Sequence, residues 1–244
     1  MYSILLAVVI IYLLCTAISG YLAIKQFKSS EITSATRIHR YRFSLVWNVL
    51  SIFAVFAVVQ LTPITLSDIG FRFISLWDTH LLFCITILTL CCLLALLFLY
   101  QILAFLISSS YRKELAKNLR QRAAGAKQYD QIVDSLIPRT SKEKQWFALT
   151  ALAAGICEET VFRGFLFYLL IKVFPLSSIS SAILVGLLFG TAHFYQGIKG
   201  IFKTALLGIL FGFLFLVTNS LFPCILLHIL FDLSSAFLYE TVEK

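Results

Sequence analysis

Six ionisable side chains stand out within the apolar stretches in the second half of this 244-residue chain. A charged group near the middle of a bilayer costs at least a few kcal/mol, so residues of this kind need a structural or chemical reason. They come from three separate segments, and they can compensate one another's charges only if those segments converge. The six are Glu158, Glu159, Arg163, His193, His228 and Asp232.

Glu158 and the two histidines could activate a water molecule. A glutamate beside a histidine can hold and deprotonate water, and the nucleophile formed attacks a peptide carbonyl. A second histidine and a hydrogen-bonding partner can then stabilise the oxyanion. Glu158, His193 and His228 are equally the ligand set of a catalytic zinc ion. The residue types leave both chemistries open, although the H-E-x-x-H zinc helix is absent.

Helical spacing separates the roles of the two adjacent glutamates. Glu159 and Arg163 are four residues apart, so they can pair on one helix face and neutralise each other. Glu158 points about 100° away around the same helix and has no partner there. An unpaired carboxylate in such a place is a candidate general base. His228 and Asp232 are also four residues apart and share a helix face.

The composition places the chain in a membrane. Hydrophobic residues make up 60% of it and charged residues only 13%, compared with roughly 25% charged in soluble proteins. A spanning helix needs about 20 mostly apolar residues. We therefore predict an all-α, polytopic transmembrane bundle of about seven spans, six to eight at the limits. The predicted spans are residues 4–24, 43–62, 81–107, 145–171, 178–195, 201–218 and 222–239.

Two loops carry most of the net charge of +8. One runs from Lys25 to Arg42 and the other from Arg112 to Lys144. The positive-inside rule places both loops in the cytoplasm and the N-terminus outside. Their basic residues favour contact with anionic lipid head groups. No base-reading motif accompanies them, so we expect no nucleic-acid partner.

The chain divides into three predicted regions. Residues 1–110 form N-terminal transmembrane helices, and residues 111–144 form a basic cytoplasmic connector with a surface helix from Tyr111 to Gln128. Residues 145–240 form the helical bundle that carries the site. Two GxxxG patterns in this bundle, beginning at Gly186 and Gly208, favour close helix packing within it.

Three motifs appear in order: Glu158-Glu-Thr-Val-Phe-Arg163, Phe189-Gly-Thr-Ala-His193 and His228-Ile-Leu-Phe-Asp232. They resemble the EExxxR, FxxxH and HxxxN/D motifs of the CAAX-protease and bacteriocin-processing family, also called CPBP or Abi, over roughly residues 140–240. The resemblance implies a helical bundle with a site buried in the membrane. Glu158 and His193 would activate water, His228 and Asp232 would form the oxyanion side, and Glu159 and Arg163 would brace the site.

Asp232 departs from the eukaryotic form of the last motif, which usually has Asn. That branch of the family trims prenylated CAAX proteins, whereas many bacterial relatives process peptides or confer immunity to them. An ionised aspartate would oppose an oxyanion. Asp232 must therefore carry a proton or orient His228, and the substrate class stays open.

Our leading functional hypothesis is an intramembrane endopeptidase that cleaves a membrane-associated peptide or protein tail. The alternative is a non-catalytic bacteriocin-immunity or membrane-partner protein on the same scaffold. A proton-coupled transporter would also account for buried Glu and His residues. The family form suggests a multi-pass protein of a bacterial plasma membrane, with a lipid bilayer and a membrane-bound substrate as partners and zinc as a possible cofactor.

One geometric condition follows from the predicted spans. Straight, perpendicular helices would place His193 near the cytoplasmic end of its span and His228 near the external end of the last. Only tilted or broken helices would bring the two histidines to the same depth.

Overall fold

A computed structural model describes residues 2–29, 32–75, 81–123 and 136–238. In these ranges the regular structure is entirely helical, as the fold class predicted, and no strand occurs. The helix Ser141–Glu159 continues through a π-helical segment, Thr160–Leu166, into the helix Phe167–Lys172. A short 3-10 turn, Phe194–Gln196, separates the helices Ser178–Ala192 and Gly197–Thr218. The α-helices are α1 (Tyr2–Ser29), α2 (Ser34–Leu61), α3 (Leu81–Ile107), α4 (Ser109–Ala123), α5 (Ser141–Glu159), α6 (Phe167–Lys172), α7 (Ser178–Ala192), α8 (Gly197–Thr218) and α9 (Phe222–Leu238).

Large apolar side chains cover the outside of the bundle. On α3, Leu82 and Leu96 are more than 60% exposed, and Phe53 on α2 is 66% exposed. Apolar surface of this extent is typical of lipid contact. Three segments of the described chain are long and apolar enough to cross a membrane: Ser34–Leu61, Leu81–Ile107 and Phe194–Thr218. The chain is therefore a membrane protein.

The predicted spans coincide with helices, but their boundaries differ. The helix at the span predicted at 145–171 is longer than that span, since it runs without a break from Ser141 to Lys172. The helix at the span predicted at 178–195 is shorter than that span, because α7 ends at Ala192. Shorter apolar helices, including Ser178–Ala192, accompany the three long ones. The number of spans stays a prediction.

Part of the predicted surface helix in the basic connector is present as α4. It begins at Ser109, two residues before the predicted Tyr111, and the predicted end at Gln128 lies outside the described residues. Helix α4 directly follows the apolar α3 and is rich in Lys and Arg, so its surface is polar where that of α3 is apolar.

Helix α5 has a strongly defined start. The Thr140 side chain accepts from the Glu143 backbone N–H, and the Glu143 side chain accepts from the Thr140 backbone N–H, which makes a capping box. The helix then widens into the π-helical segment directly after Glu159. Single π turns are frequent at functional sites because they redirect side chains within a helix. This turn begins between the two glutamates and Arg163.

Helices α7 and α8 form a closely packed hairpin through the two GxxxG patterns. A Cβ on Gly186 would lie 2.4 Å from the backbone nitrogen of Ile209, and a Cβ on Gly208 would lie 2.9 Å from Cα of Gly186. Only glycine permits this backbone approach. The patterns therefore serve packing inside the bundle, as predicted.

Helix α9 crosses α5 at another glycine. A Cβ on Gly155 would lie 2.7 Å from the Ile229 side chain. Gly155 precedes Glu159 by one turn, and Ile229 follows His228 directly. The close contact therefore sets how near the α9 histidine lies to the α5 carboxylates.

The loop at residues 62–72, which follows α2, is inserted between helices. Ile64 and Ile69 are buried, and the Ile69 carbonyl lies against Gly164 of the π-helical segment. The loop also binds the turn before α9, since Leu221 N–H donates to the Gly70 carbonyl at 2.8 Å. It therefore closes one end of the bundle and covers the start of α9.

A buried ion pair joins α2 to the start of α5. Arg37 donates from Nε to Glu143 Oε2 at 3.0 Å and from Nη2 to Oε1 at 3.4 Å. Burial raises the pKa of Glu143, but hydrogen bonds from Ser34, from the Arg139 backbone and from Arg37 outweigh it and hold this pKa below its usual value. This pair fixes the N-terminal helices to the helix that carries Glu158.

We expect Glu143→Gln to lower the free energy of unfolding by about 3 kcal/mol at pH 7, because it leaves Arg37 buried without its carboxylate. Because the pKa of Glu143 is depressed in the folded state, the ion pair stabilises the folded state at pH values above the unfolded-state pKa of about 4.3. This stabilisation is lost as the pH falls through the folded-state pKa. The difference in melting temperature between wild type and Glu143→Gln in detergent should shrink between about pH 5 and pH 3. The exposed Glu114→Gln is the control, and a difference that is independent of pH would contradict the assignment.

Candidate active site

The centre of the site is the fully buried side chain of Glu159. Its Oε1 accepts from Arg163 Nη1 at 2.9 Å and lies 2.7 Å from His228 Nδ1. Arg163 also donates from Nη2 to the Gly208 carbonyl at 3.0 Å, and its guanidinium lies 4.6 Å from the centre of the Phe189 ring. One carboxylate therefore connects α5, α8 and α9 by charged hydrogen bonds in a medium of low dielectric.

Glu158 faces the other way, between the two histidines. Its Oε2 lies 3.9 Å from His193 Nε2 and 3.9 Å from His228 Nε2. This atom is buried and has no hydrogen-bond partner among the described residues. Separations of 3.9 Å are too long for a direct hydrogen bond but suit one bridging water molecule.

Both histidines are held through Nδ1, so both present Nε2 to Glu158. His193 Nδ1 lies 2.8 Å from the Phe189 carbonyl oxygen, which only accepts, so His193 carries a hydrogen on Nδ1. The partner of His228 Nδ1 is Glu159, as in carboxylate–histidine pairs that fix a ring for catalysis. The FxxxH spacing explains the contact between His193 and the Phe189 carbonyl, since residues four apart in a helix are neighbours.

Asp232 lies one turn after His228 and approaches the same nitrogen. Its Oδ2 is 3.7 Å from His228 Nε2. His228 Nε2 is thus flanked by the Glu158 and Asp232 carboxylates on one side of the ring, while Glu159 holds the other.

Exposure indicates where the site opens. The Glu159 and Arg163 side chains are 0% exposed, and His228 is 8% exposed. His193 is 15%, Glu158 17% and Asp232 26% exposed. The opening therefore lies beside Asp232, Glu158 and His193, and the charged pair of Glu159 and Arg163 forms the closed floor.

The two histidines reach the same depth because α7, which precedes His193, is short and α9, which carries His228, begins inside the bundle. Glu158 lies 14 residues before the end of α6 at Lys172, and His193 lies 15 residues after the start of α7 at Ser178. The two residues are therefore about equally far from the turn that joins α6 to α7. The start of α9 is covered by the inserted loop, since Ser220 and Leu221 are fully buried. His228, less than two turns further on, is therefore not at the surface.

The three residues that we considered as zinc ligands have suitable donor types but not the spacing. Ligand atoms around a tetrahedral zinc ion at about 2.0–2.1 Å lie about 3.3–3.4 Å from one another, whereas Glu158 is 3.9 Å from each histidine. No group of three His, Cys, Asp or Glu side chains in the described ranges is placed to hold a metal ion. We derive no chemical step through zinc.

Sequence reasoning missed several contributors to the site. It paired Glu159 only with Arg163, although His228 shares the same oxygen. It also assigned no role to Tyr12 of α1, which interacts with Glu158 and Cys157, or to Tyr195, whose ring centre is 6.0 Å from that of His193. A tyrosine two positions after a candidate histidine is a usable signal, whereas no local pattern points to Tyr12.

We expect Glu159→Gln to lower the free energy of unfolding by about 3 kcal/mol, since it leaves Arg163 buried without a charged partner. For a chain of this size this corresponds to roughly 6–12 °C in melting temperature. Glu158→Gln should change the melting temperature by less than about 2 °C, because Glu158 Oε2 has no hydrogen bond to lose. Thermal unfolding of both variants in one detergent measures this, and equal losses would contradict the division of roles.

One of three comparisons with known proteins found a match. Residues 141–234 match the family model described as Type II CAAX prenyl endopeptidase Rce1-like. The matched range contains all six polar residues of the site and excludes α1 to α4. No match was found among curated proteins or among solved structures. Residues 141–234 are therefore similar to the CAAX prenyl endopeptidase family, in agreement with the resemblance of the three motifs.

Proposed function

We propose that this protein is an intramembrane endopeptidase of the CAAX type that cleaves a membrane-associated peptide or protein tail. The main support is the position of Glu158. Its buried Oε2 lies 3.9 Å from Nε2 of both histidines and has no hydrogen-bond partner among the described residues. The similarity of residues 141–234 to the CAAX prenyl endopeptidase family supports the substrate class.

In the proposed reaction, Glu158 is the general base. A water molecule bound between Glu158 Oε2 and His193 Nε2 loses a proton to Glu158 as its oxygen attacks the peptide carbonyl carbon. The Nδ1 hydrogen bond to Phe189 leaves the lone pair of His193 Nε2 free to accept from this water. Glu158 then returns the proton to the leaving amine nitrogen, which balances the hydrolysis.

His228 faces the oxyanion in this scheme. With Nδ1 held by Glu159, a protonated Nε2 would donate to the carbonyl oxygen as negative charge develops there. Asp232, at 3.7 Å, would orient His228. Glu159 and Arg163 would hold this ring in place without contacting the substrate.

Glu158→Gln should lower the cleavage rate at least about 100-fold, because a positioned general base contributes 10²–10⁴. His193→Ala should have a similar effect. The measurement is cleavage of a panel of prenylated and unprenylated membrane peptides by purified protein. The surface variant Glu114→Gln is the matched control. Full cleavage by Glu158→Gln would exclude this mechanism.

If wild type cleaves no peptide of the panel, a non-catalytic immunity or membrane-partner role becomes the better account. That role predicts that Glu158→Gln leaves the cellular phenotype intact. A proton-coupled transporter would instead move substrate across sealed vesicles.

Cleavage by wild type should survive a zinc chelator within about twofold, since the 3.9 Å separations are wider than a zinc site requires. The zinc content of the purified protein is measured in parallel. Loss of activity on chelation with recovery on adding zinc would instead make Glu158, His193 and His228 ligands.

A further inference from the structure

The turn between α7 and α8 places a tyrosine at the open side of the site. Tyr195 follows His193 by two residues, and the turn is closed by Gln196 N–H donating to the His193 carbonyl at 3.0 Å. The rings of Tyr195 and His193 are tilted by 38°. Tyr195 is partly exposed and lies near enough to Glu158 and Asp232 to interact with both electrostatically. The Tyr195 side chain therefore lies beside His193 on the partly exposed side of the site.

The Tyr195 hydroxyl is oriented as a donor. Gln196 Nε2 donates to Tyr195 Oη at 3.3 Å, and Thr204 Oγ1 donates to Gln196 Oε1 at 3.4 Å. Because the oxygen of Tyr195 already accepts a hydrogen bond, its own hydrogen stays available to another acceptor. Thr204 of α8 thus fixes the side-chain amide of Gln196 so that its nitrogen faces the phenol.

Helix α1 supports the ring from outside the family-matched residues. At Gly20 a Cβ would lie 3.1 Å from the Phe194 ring and 3.2 Å from Cδ1 of Tyr195. The absence of a side chain at Gly20 lets α1 pack directly on this turn. The N-terminal helices thus help to set the position of Tyr195 relative to His193.

The site needs a neutral donor at this place. A hydrogen bond from a preorganised neutral or cationic donor stabilises an oxyanion, whereas an ionised carboxylate repels it. Asp232 occupies the position where the eukaryotic form of the motif usually has Asn, and as an anion it can only accept. A phenol keeps its proton at neutral pH and can donate instead.

We propose that Tyr195 is a further catalytic residue, whose O–H donates a hydrogen bond to the carbonyl oxygen of the bond that is cleaved. This inference rests on the proposed peptidase function. In it, Tyr195 and His228 share the oxyanion, and Asp232 orients His228. Tyr195 supplies from the α7–α8 turn the neutral donor that an ionised Asp232 cannot supply.

Tyr195→Phe tests this directly, because it keeps the ring and its packing on Gly20 and removes only the hydroxyl. We expect kcat to fall about 100-fold, the lower end of the range for loss of one oxyanion donor, with KM changed less than threefold. The melting temperature should stay within about 2 °C of wild type. Tyr21→Phe, on the lipid-facing side of α1 and 60% exposed, is the matched control and should retain wild-type kcat.

The assay uses the panel peptide that wild type cleaves fastest, with Glu158→Gln measured beside the tyrosine variants. If Tyr195→Phe retains wild-type kcat while Glu158→Gln is inactive, the role of Tyr195 is wrong and the peptidase mechanism stands. A rise in KM with unchanged kcat would make Tyr195 a binding residue and also overturn the catalytic role. If Glu158→Gln is fully active, or wild type cleaves nothing, the proposed function fails and this inference fails with it.

Discussion

The buried carboxylate of Glu159 is the constraint on which the rest of the site depends. An ion in the membrane interior is stable only when charges and hydrogen bonds compensate it, and Glu159 is compensated from two directions. Arg163 binds it from the same helix, and His228 binds it from α9. Because Arg163 also donates to the Gly208 carbonyl of α8, three helices have their relative positions fixed by one group of polar atoms.

This arrangement leaves Glu158 Oε2 without a hydrogen-bond partner among the described residues. The two adjacent glutamates point to different environments. Glu159 is held through Oε1 by Arg163 and His228, whereas Glu158 faces the opening of the site. Two carboxylates with different environments are the usual way in which a site separates a structural anion from a reactive group. The π-helical segment directly after Glu159 widens the helix at this point, and the Ile69 carbonyl packs against its Gly164. Local backbone geometry and the inserted loop thus act on the same few residues.

The N-terminal helices do more than anchor the protein in lipid. Helix α2 is joined to the start of α5 by the pair of Arg37 and Glu143, and Tyr12 of α1 packs edge-on against Phe162 beside Glu158. The family-matched range begins only at residue 141, so these contacts come from outside it.

The helical class, the membrane environment, the resemblance to the CAAX-protease family and six candidate polar residues could all be predicted from the sequence. Apolar composition, i, i+4 spacing and ordered motifs are local properties, so they can be recognised without a structure. The partner of each polar group depends instead on tertiary packing. That His228 binds Glu159, that the loop at residues 62–72 lies between helices, and that Tyr195 stands beside His193 all depend on how distant segments pack. Such contacts are fixed by close approach at Gly155 and Gly20, and nothing in the local spacing of residues specifies which helix fills that space.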